Sequence, residues 1–155
     1  ASPLNPAQKT AFTGLEYFEY DPELNLTVKV QRVEDEAPVQ IFTTRDGIQN
    51  YRRYGTFTFS VGGEQATLTI YETAHGFFLP FVDAMANVET YGAGRYLDPP
   101  QINNRTFHID FNLAYNPLCV YNDHWECPIT PPENRLKVAL RAGEKLPTGD
   151  WLKLK

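Results

Sequence analysis

Most of the side chains that could do chemistry fall in four short blocks of the second half of the chain, 89–97, 110–119, 127–136 and 142–145. The first block, Glu-Thr-Tyr-Gly-Ala-Gly-Arg-Tyr-Leu, sets Tyr91 and Arg95 around two glycines. Arg95 offers a planar fork that suits a carboxylate or a phosphate, and the glycines let the backbone turn or let another group approach closely. The segment is a poor dinucleotide loop. It lacks a third glycine, and Leu-Asp-Pro-Pro at 97–100 blocks the helix such a loop must open. Arg95 therefore either anchors an anionic ligand or pairs with an internal carboxylate.

In the second block Phe107, Ile109 and Phe111 share one face of an extended segment, so His108, Asp110 and Asn112 share the other, about 6.5–7 Å apart in succession. That row holds a possible base, a carboxylate and an amide. Tyr115 and Asn116 follow at once, on a turn held by Pro117. His108 alone reads as an outward-facing residue, because an isolated imidazole needs a partner to act as a catalyst. Cys119 and Cys127 allow several readings. A disulfide ranks first, closing a short loop worth roughly 2.5 kcal/mol in the chain-entropy model. Buried thiols come next, then a zinc site with His124 and either His108 or Asp110, whose spacing matches no common knuckle. A nucleophilic thiol comes last, since no activating base is visible. After Cys127, Pro128, Pro131 and Pro132 stiffen the chain and present Glu133 and Asn134.

These residues support a domain that recognises a small polar or anionic ligand, with Arg95 as anchor and Asp110, Asn112, Tyr115 and Asn116 as hydrogen-bonding groups; Tyr91, Glu133 and Asn134 complete the candidate set. A second reading is a hydrolase or isomerase with Asp110 or Glu133 as general base and Arg95 holding developing negative charge. A third is an envelope-associated interaction module with an aromatic surface. No cofactor or metal is expected. A net charge of −5, with Lys and Arg scattered in ones and twos, argues against nucleic acid as partner. No apolar run approaches the roughly 20 residues of a spanning helix.

The elements that must position these groups are mostly strands. At 155 residues, with 42% hydrophobic and 14% aromatic side chains, one domain over residues 1–155 is expected. Leu24, Leu26, Val28 and Val30 alternate with polar residues, as do Phe57, Phe59 and Val61, which return through Gly62-Gly63 to Leu68 and Ile70 in a hairpin. Val39 to Thr44 reads as a strand, and Phe77 to Val82 as an edge strand because Pro80 lacks an N–H. Val138 and Leu140 suggest a last strand, and Trp151 to Lys155 an amphipathic tail. Asn5-Pro6 opens a short helix that Gly14 ends, and Asp83 to Glu89 is a second helix candidate. The acidic Glu34-Asp35-Glu36 reads as a solvated loop. The expected fold is mainly β, a small barrel or sandwich of antiparallel strands with one or two short helices.

The four blocks, with Asp-Phe-Asn-Leu-Ala-Tyr-Asn-Pro-Leu-Cys as the second and Cys-Pro-Ile-Thr-Pro-Pro-Glu-Asn-Arg-Leu as the third, resemble the signature of the bacterial family called domain of unknown function 1684, DUF1684. Ser-Pro-Leu at 2–4, Gly-Leu-Glu-Tyr-Phe at 14–18 and Tyr-Gly-Thr-Phe-Thr-Phe at 54–59 resemble its shorter, often exported branch. The resemblance implies no mechanism. It implies site positions at Tyr91, Arg95, Asp110, Asn112, Tyr115, Asn116, Cys119, Cys127, Glu133 and Asn134, and leaves His108 and His124 outside the pattern. It also implies a periplasmic or envelope location after removal of a leader. The first residues, with neither a basic start nor an apolar run, fit that reading or a cytoplasmic chain.

Overall fold

The computed structural model describes residues 2–34 and 38–155, so Asp35 and Glu36 of the acidic run lie outside the described residues. Near the N-terminus Asn5 and Gln8 cap each other. The Asn5 side chain accepts from the Gln8 N–H at 2.8 Å, and the Gln8 side chain accepts from the Asn5 N–H at 2.9 Å. With Pro6 at the first helical position, this reciprocal cap starts α1 (Pro6–Ala11), which gives way to extended backbone at Phe12.

The alternating apolar positions become antiparallel strands in two sheets. β1 (Asn25–Lys29) pairs with β9 (Thr106–Asp110), and β9 with β8 (Gln101–Asn103). The larger sheet contains β2 (Gln31–Arg32), β3 (Pro38–Phe42), β4 (Ile48–Val61), β5 (Glu64–Thr73), β6 (Gly76–Phe81) and β7 (Arg95–Leu97). Its order is β2-β4-β5-β6-β7, with β3 also on β4. The Gly62-Gly63 turn joins β4 to β5, both glycines at positive φ as the tight turn demands. One apolar cluster lies between the sheets, and Tyr54–Phe107 and Phe59–Phe111 ring contacts at 5.4 and 5.2 Å cross it. The arrangement is a sandwich of antiparallel sheets without barrel closure.

Three expectations are corrected. β6 is not an edge strand, since it pairs with both β5 and β7. Tyr71 faces Phe78 and Thr73 faces Gly76, a register that would set Thr69 opposite Pro80, where no N–H exists to bond the Thr69 carbonyl. The Asn134 side chain fills that gap: Oδ1 accepts the Thr69 N–H at 2.9 Å, and Nδ2 donates to the Thr69 and Pro80 carbonyls, both at 2.8 Å. A side-chain amide thus stands in for the missing rung.

Residues 83–89 form turns instead of a helix. Asp83 is committed elsewhere, accepting from the Thr90 hydroxyl at 2.6 Å and the Leu140 N–H at 2.8 Å, and Asn87 sits at positive φ. Tertiary bonds here outweigh the helix preference of Ala84, Met85 and Ala86. Val138 and Leu140 are buried, as their alternation requires, yet they belong to no strand. The backbone there bonds to the side chains of Asp83 and Arg95 instead of to a neighbouring strand. The C-terminal tail is a 3-10 turn, Asp150–Leu154, with Trp151 packed edge-on against Phe12 of the N-terminal segment. Among the described residues no helix is long and apolar enough to cross a membrane.

Candidate functional site

Arg95 leaves β7 pointing into the protein and is 1% exposed. Its guanidinium donates to the carbonyls of Leu140 at 2.9 Å, Ala142, and Glu144 at 3.2 Å, and lies 3.9 Å from the Asp83 carboxylate. Burial pulls its pKa down to about 10, against the opposing pull of Asp83 and Glu144, so it stays charged at neutral pH. One arginine therefore organises the 140–144 segment, whose carbonyls no strand satisfies. Gly143 lets that segment pass close to the second block. It adopts φ +80, and a Cβ there would meet the Phe111 carbonyl oxygen at 2.7 Å and Ala114 at 2.8 Å. Gly94 is similarly confined: at φ +109, a Cβ would meet the Phe81 carbonyl oxygen at 2.7 Å.

The structure brings the first, second and fourth blocks together, and the third touches the first, where the Thr130 hydroxyl donates to the Ala93 carbonyl at 3.2 Å and the Tyr96 hydroxyl to the Pro128 carbonyl, while its Glu133 and Asn134 side chains face the larger sheet. Tyr96 and Tyr115 exchange backbone bonds at 2.9 and 3.0 Å, and the Glu144 N–H donates to Ala114. Asn134 lies at the β5–β6 gap. Glu133 accepts from Arg53 at 3.0 Å and from the Tyr71 hydroxyl. Of the row of His108, Asp110 and Asn112, the first two line a smaller cavity of about 220 Å³ together with Tyr115 and Asp98, and the Asn112 amide donates to the Asp110 carboxylate at 2.9 Å. Asp110 caps the turn that follows, accepting from the Asn112 N–H at 3.0 Å, while the Asn112 side chain takes the Asp21 N–H at 2.9 Å and gives to the Asp21 carbonyl at 2.8 Å. This amide pins the N-terminal segment beside the second block. His108 contacts Asn25 on β1. Tyr91 packs half-buried against the small cluster of Val120, Tyr121 and Trp151.

Tyr115 and Asn116 reach a cavity of about 390 Å³. Its walls are Leu4, Phe12 and Leu15 from the N-terminal segment, Leu118 from the second block and Tyr121 just beyond it, and Glu144 lines it as well. Gln8 holds the two walls together, donating to the Tyr121 carbonyl at 3.0 Å and accepting from Asn122 at 3.1 Å, and Asn122 also donates to the Pro3 carbonyl. Of the polar side chains at the cavity, Tyr115, Tyr121 and Asn116 Nδ2 donate to partners within the protein and the Ser2 hydroxyl accepts from the Leu4 N–H, which leaves acceptor capacity on Glu144 and Asn116. Glu144, 4% exposed, accepts from the Tyr121 hydroxyl and from the Asn116 N–H at 3.4 Å. Burial raises its pKa above the ordinary carboxylate value, with the bonds from Tyr121 and Asn116 and the charge of Arg95 partly opposing the rise. Burial also raises the Tyr121 pKa, and its bond to Glu144 adds to the rise. Asn116 Nδ2 donates to the Lys145 carbonyl at 3.0 Å, which fixes the amide orientation and leaves Oδ1 buried with no partner. An acceptor in that state costs about 1–3 kcal/mol. The Tyr115 hydroxyl turns outward to Asp98 at 2.7 Å.

The cysteines form a disulfide, Cys119–Cys127, which closes the loop behind Val120 and Tyr121 and removes the zinc and thiol alternatives. Glu144, Leu4, Phe12 and Tyr121 were not among the residues singled out from the sequence. The Ala-Gly-Glu-Lys block was a signal for Glu144, but nothing local marks residues more than 100 positions apart as walls of one cavity.

The model of the family described as "Protein of unknown function (DUF1684)" matches residues 10–145. The chain belongs to this family. A solution NMR structure of an uncharacterized protein of Haloarcula marismortui is similar at 32% identity and a TM-score of 0.70, over 93% of this chain and 82% of that one. No curated protein matches the chain. The family match starts beyond Leu4 and Gln8, so part of one cavity wall lies outside it.

Proposed function

We propose that the chain is a binding domain for a small molecule with an apolar body, held between the N-terminal segment and residues 115–121. The observation that carries this reading is the cavity itself. Its volume of about 390 Å³ suits a small organic ligand, and Leu4, Phe12, Leu15, Leu118 and Tyr121 wall it while Asn116 and Glu144 supply a few polar groups. Of the residues singled out from the sequence, Tyr115 and Asn116 line this cavity; Arg95, Asn112 and Asn134 make bonds within the protein. Binding is favoured over catalysis because both carboxylates considered as bases, Asp110 and Glu133, are engaged by neighbouring donors and neither lines this cavity. The disulfide supports residence in an oxidising compartment.

Leu118 is 38% exposed at the cavity, so Leu118→Trp should fill the space without disturbing the core. Titration with short aliphatic and aromatic compounds should shift the amide resonances of residues 115–121 in the native protein and leave Leu118→Trp unaffected. Compounds that bind both proteins equally, or shift resonances elsewhere, would overturn the proposal.

A further inference from the structure

We infer, building on the cavity reading above, that the ligand carries a protonated amine as its head group and places it against Glu144 and Asn116.

The donors beside Glu144 are already used: the Tyr121 hydroxyl and the Asn116 N–H go to the Glu144 carboxylate, Asn116 Nδ2 goes to the Lys145 carbonyl, and the Tyr115 hydroxyl goes to Asp98. What remains is acceptor capacity, namely the other lone pairs of Glu144 and the whole of Asn116 Oδ1. An ammonium carries three donors and no acceptor, so it complements both groups. A carboxylate or phosphate would bring acceptors to acceptors.

Charge gives the same sign independently. Among the described residues two carboxylates, Asp83 and Glu144, are buried at 3% and 4% exposure, and one guanidinium, that of Arg95. Arg95 lies closest to Asp83 and spends its hydrogen bonds on main-chain carbonyls, including that of Glu144 itself. One negative charge is left over, and it belongs to the residue that lines the cavity. Lys145, the neighbouring cation, sets its ammonium over the Phe18 ring, 5.2 Å from the centroid. Burial raises the proton affinity of Glu144, and the charge of Arg95 offsets this only in part. The aromatic walls Phe12 and Tyr121 suit a cation as well.

Three probes of equal chain length test the inference on the full, disulfide-bonded protein near neutral pH: hexylamine, hexanol and hexanoate, followed by the amide resonances of residues 115–121. Hexylamine should bind about tenfold or more tighter than hexanol, with hexanoate weakest, as expected for a charge-assisted bond at a partly desolvated carboxylate. Glu144→Gln should bring hexylamine down to the affinity of hexanol. If that variant does not fold, the ranking on the native protein decides the matter alone. Equal binding of hexylamine and hexanol, or tighter binding of hexanoate, would overturn the amine and leave the cavity reading standing. Failure of all three to bind would remove both.

Discussion

Asn134→Ala tests whether one side chain completes a sheet. The substitution removes the acceptor for the Thr69 N–H and the donor to the Thr69 and Pro80 carbonyls, all inside a fully buried gap. A buried N–H left unpaired costs about 1–3 kcal/mol, and the two carbonyls add a smaller amount each because each has a second lone pair. Together these give a loss of about 3–5 kcal/mol, against the roughly 5–15 kcal/mol that stabilises a typical domain. Urea unfolding followed by tryptophan fluorescence and circular dichroism measures the loss. Hydrogen exchange at Thr69 locates it, because that amide should lose protection before its neighbours on β5. Pro80→Ala offers a control. An alanine there restores an N–H facing Thr69, so the cost of Asn134→Ala should shrink in that background. A loss below about 1 kcal/mol with Thr69 still protected would refute the bridging role.

Three further outcomes are expected. Arg95→Met should destabilise by about 3–5 kcal/mol in the same unfolding experiment, because it strands Asp83 in the interior, and Arg95→Lys should recover only part of this, since an ammonium lacks the planar fork that spans three carbonyls. Reduction of Cys119–Cys127 should lower stability by about 2.5 kcal/mol, read from paired urea curves with and without reductant. Glu144 should make ligand-free stability depend on pH in a definite direction. Its carboxyl holds a proton more tightly folded than unfolded, so its contribution is full below the ordinary value of 4.5 and is lost as pH rises through the raised folded value. The melting temperature of the native protein relative to Glu144→Gln should fall across that window, and a difference that stays flat with pH would refute the shift.

Much of the β architecture was legible in the residues. The alternation at 24–30 and 56–70 and the Gly62-Gly63 pair appear as β1 with its flanks and the β4–β5 hairpin, because side-chain alternation and positive φ are properties of the local backbone. The cap at Asn5 was equally local. The candidate site was legible only in part. Tyr115 and Asn116 reach the cavity, while Arg95, Asn112 and Asn134, chosen for the same polar chemistry, bond to backbone distant in sequence. A side chain's type reveals what bonds it can make, not whether the protein has already used them.

The extended segments, their buried faces and the turns between them are therefore written locally in the chain. Which polar groups meet depends on how distant segments pack. Pro80 pointed to an edge strand because its missing N–H is a local fact, but the amide that compensates for it comes from Asn134, 54 residues away. Val138 and Leu140 announced an extended chain, and its bonds went to Arg95 and Asp83 instead of to another strand. Glu144 became a buried carboxylate with a cavity in front of it because Gly143 lets its segment pass within contact of Ala114, while Gln8 holds the opposite wall in place. Periodicity records how a segment lies against the core; the partners of its polar groups are set by long-range packing, which no local pattern encodes.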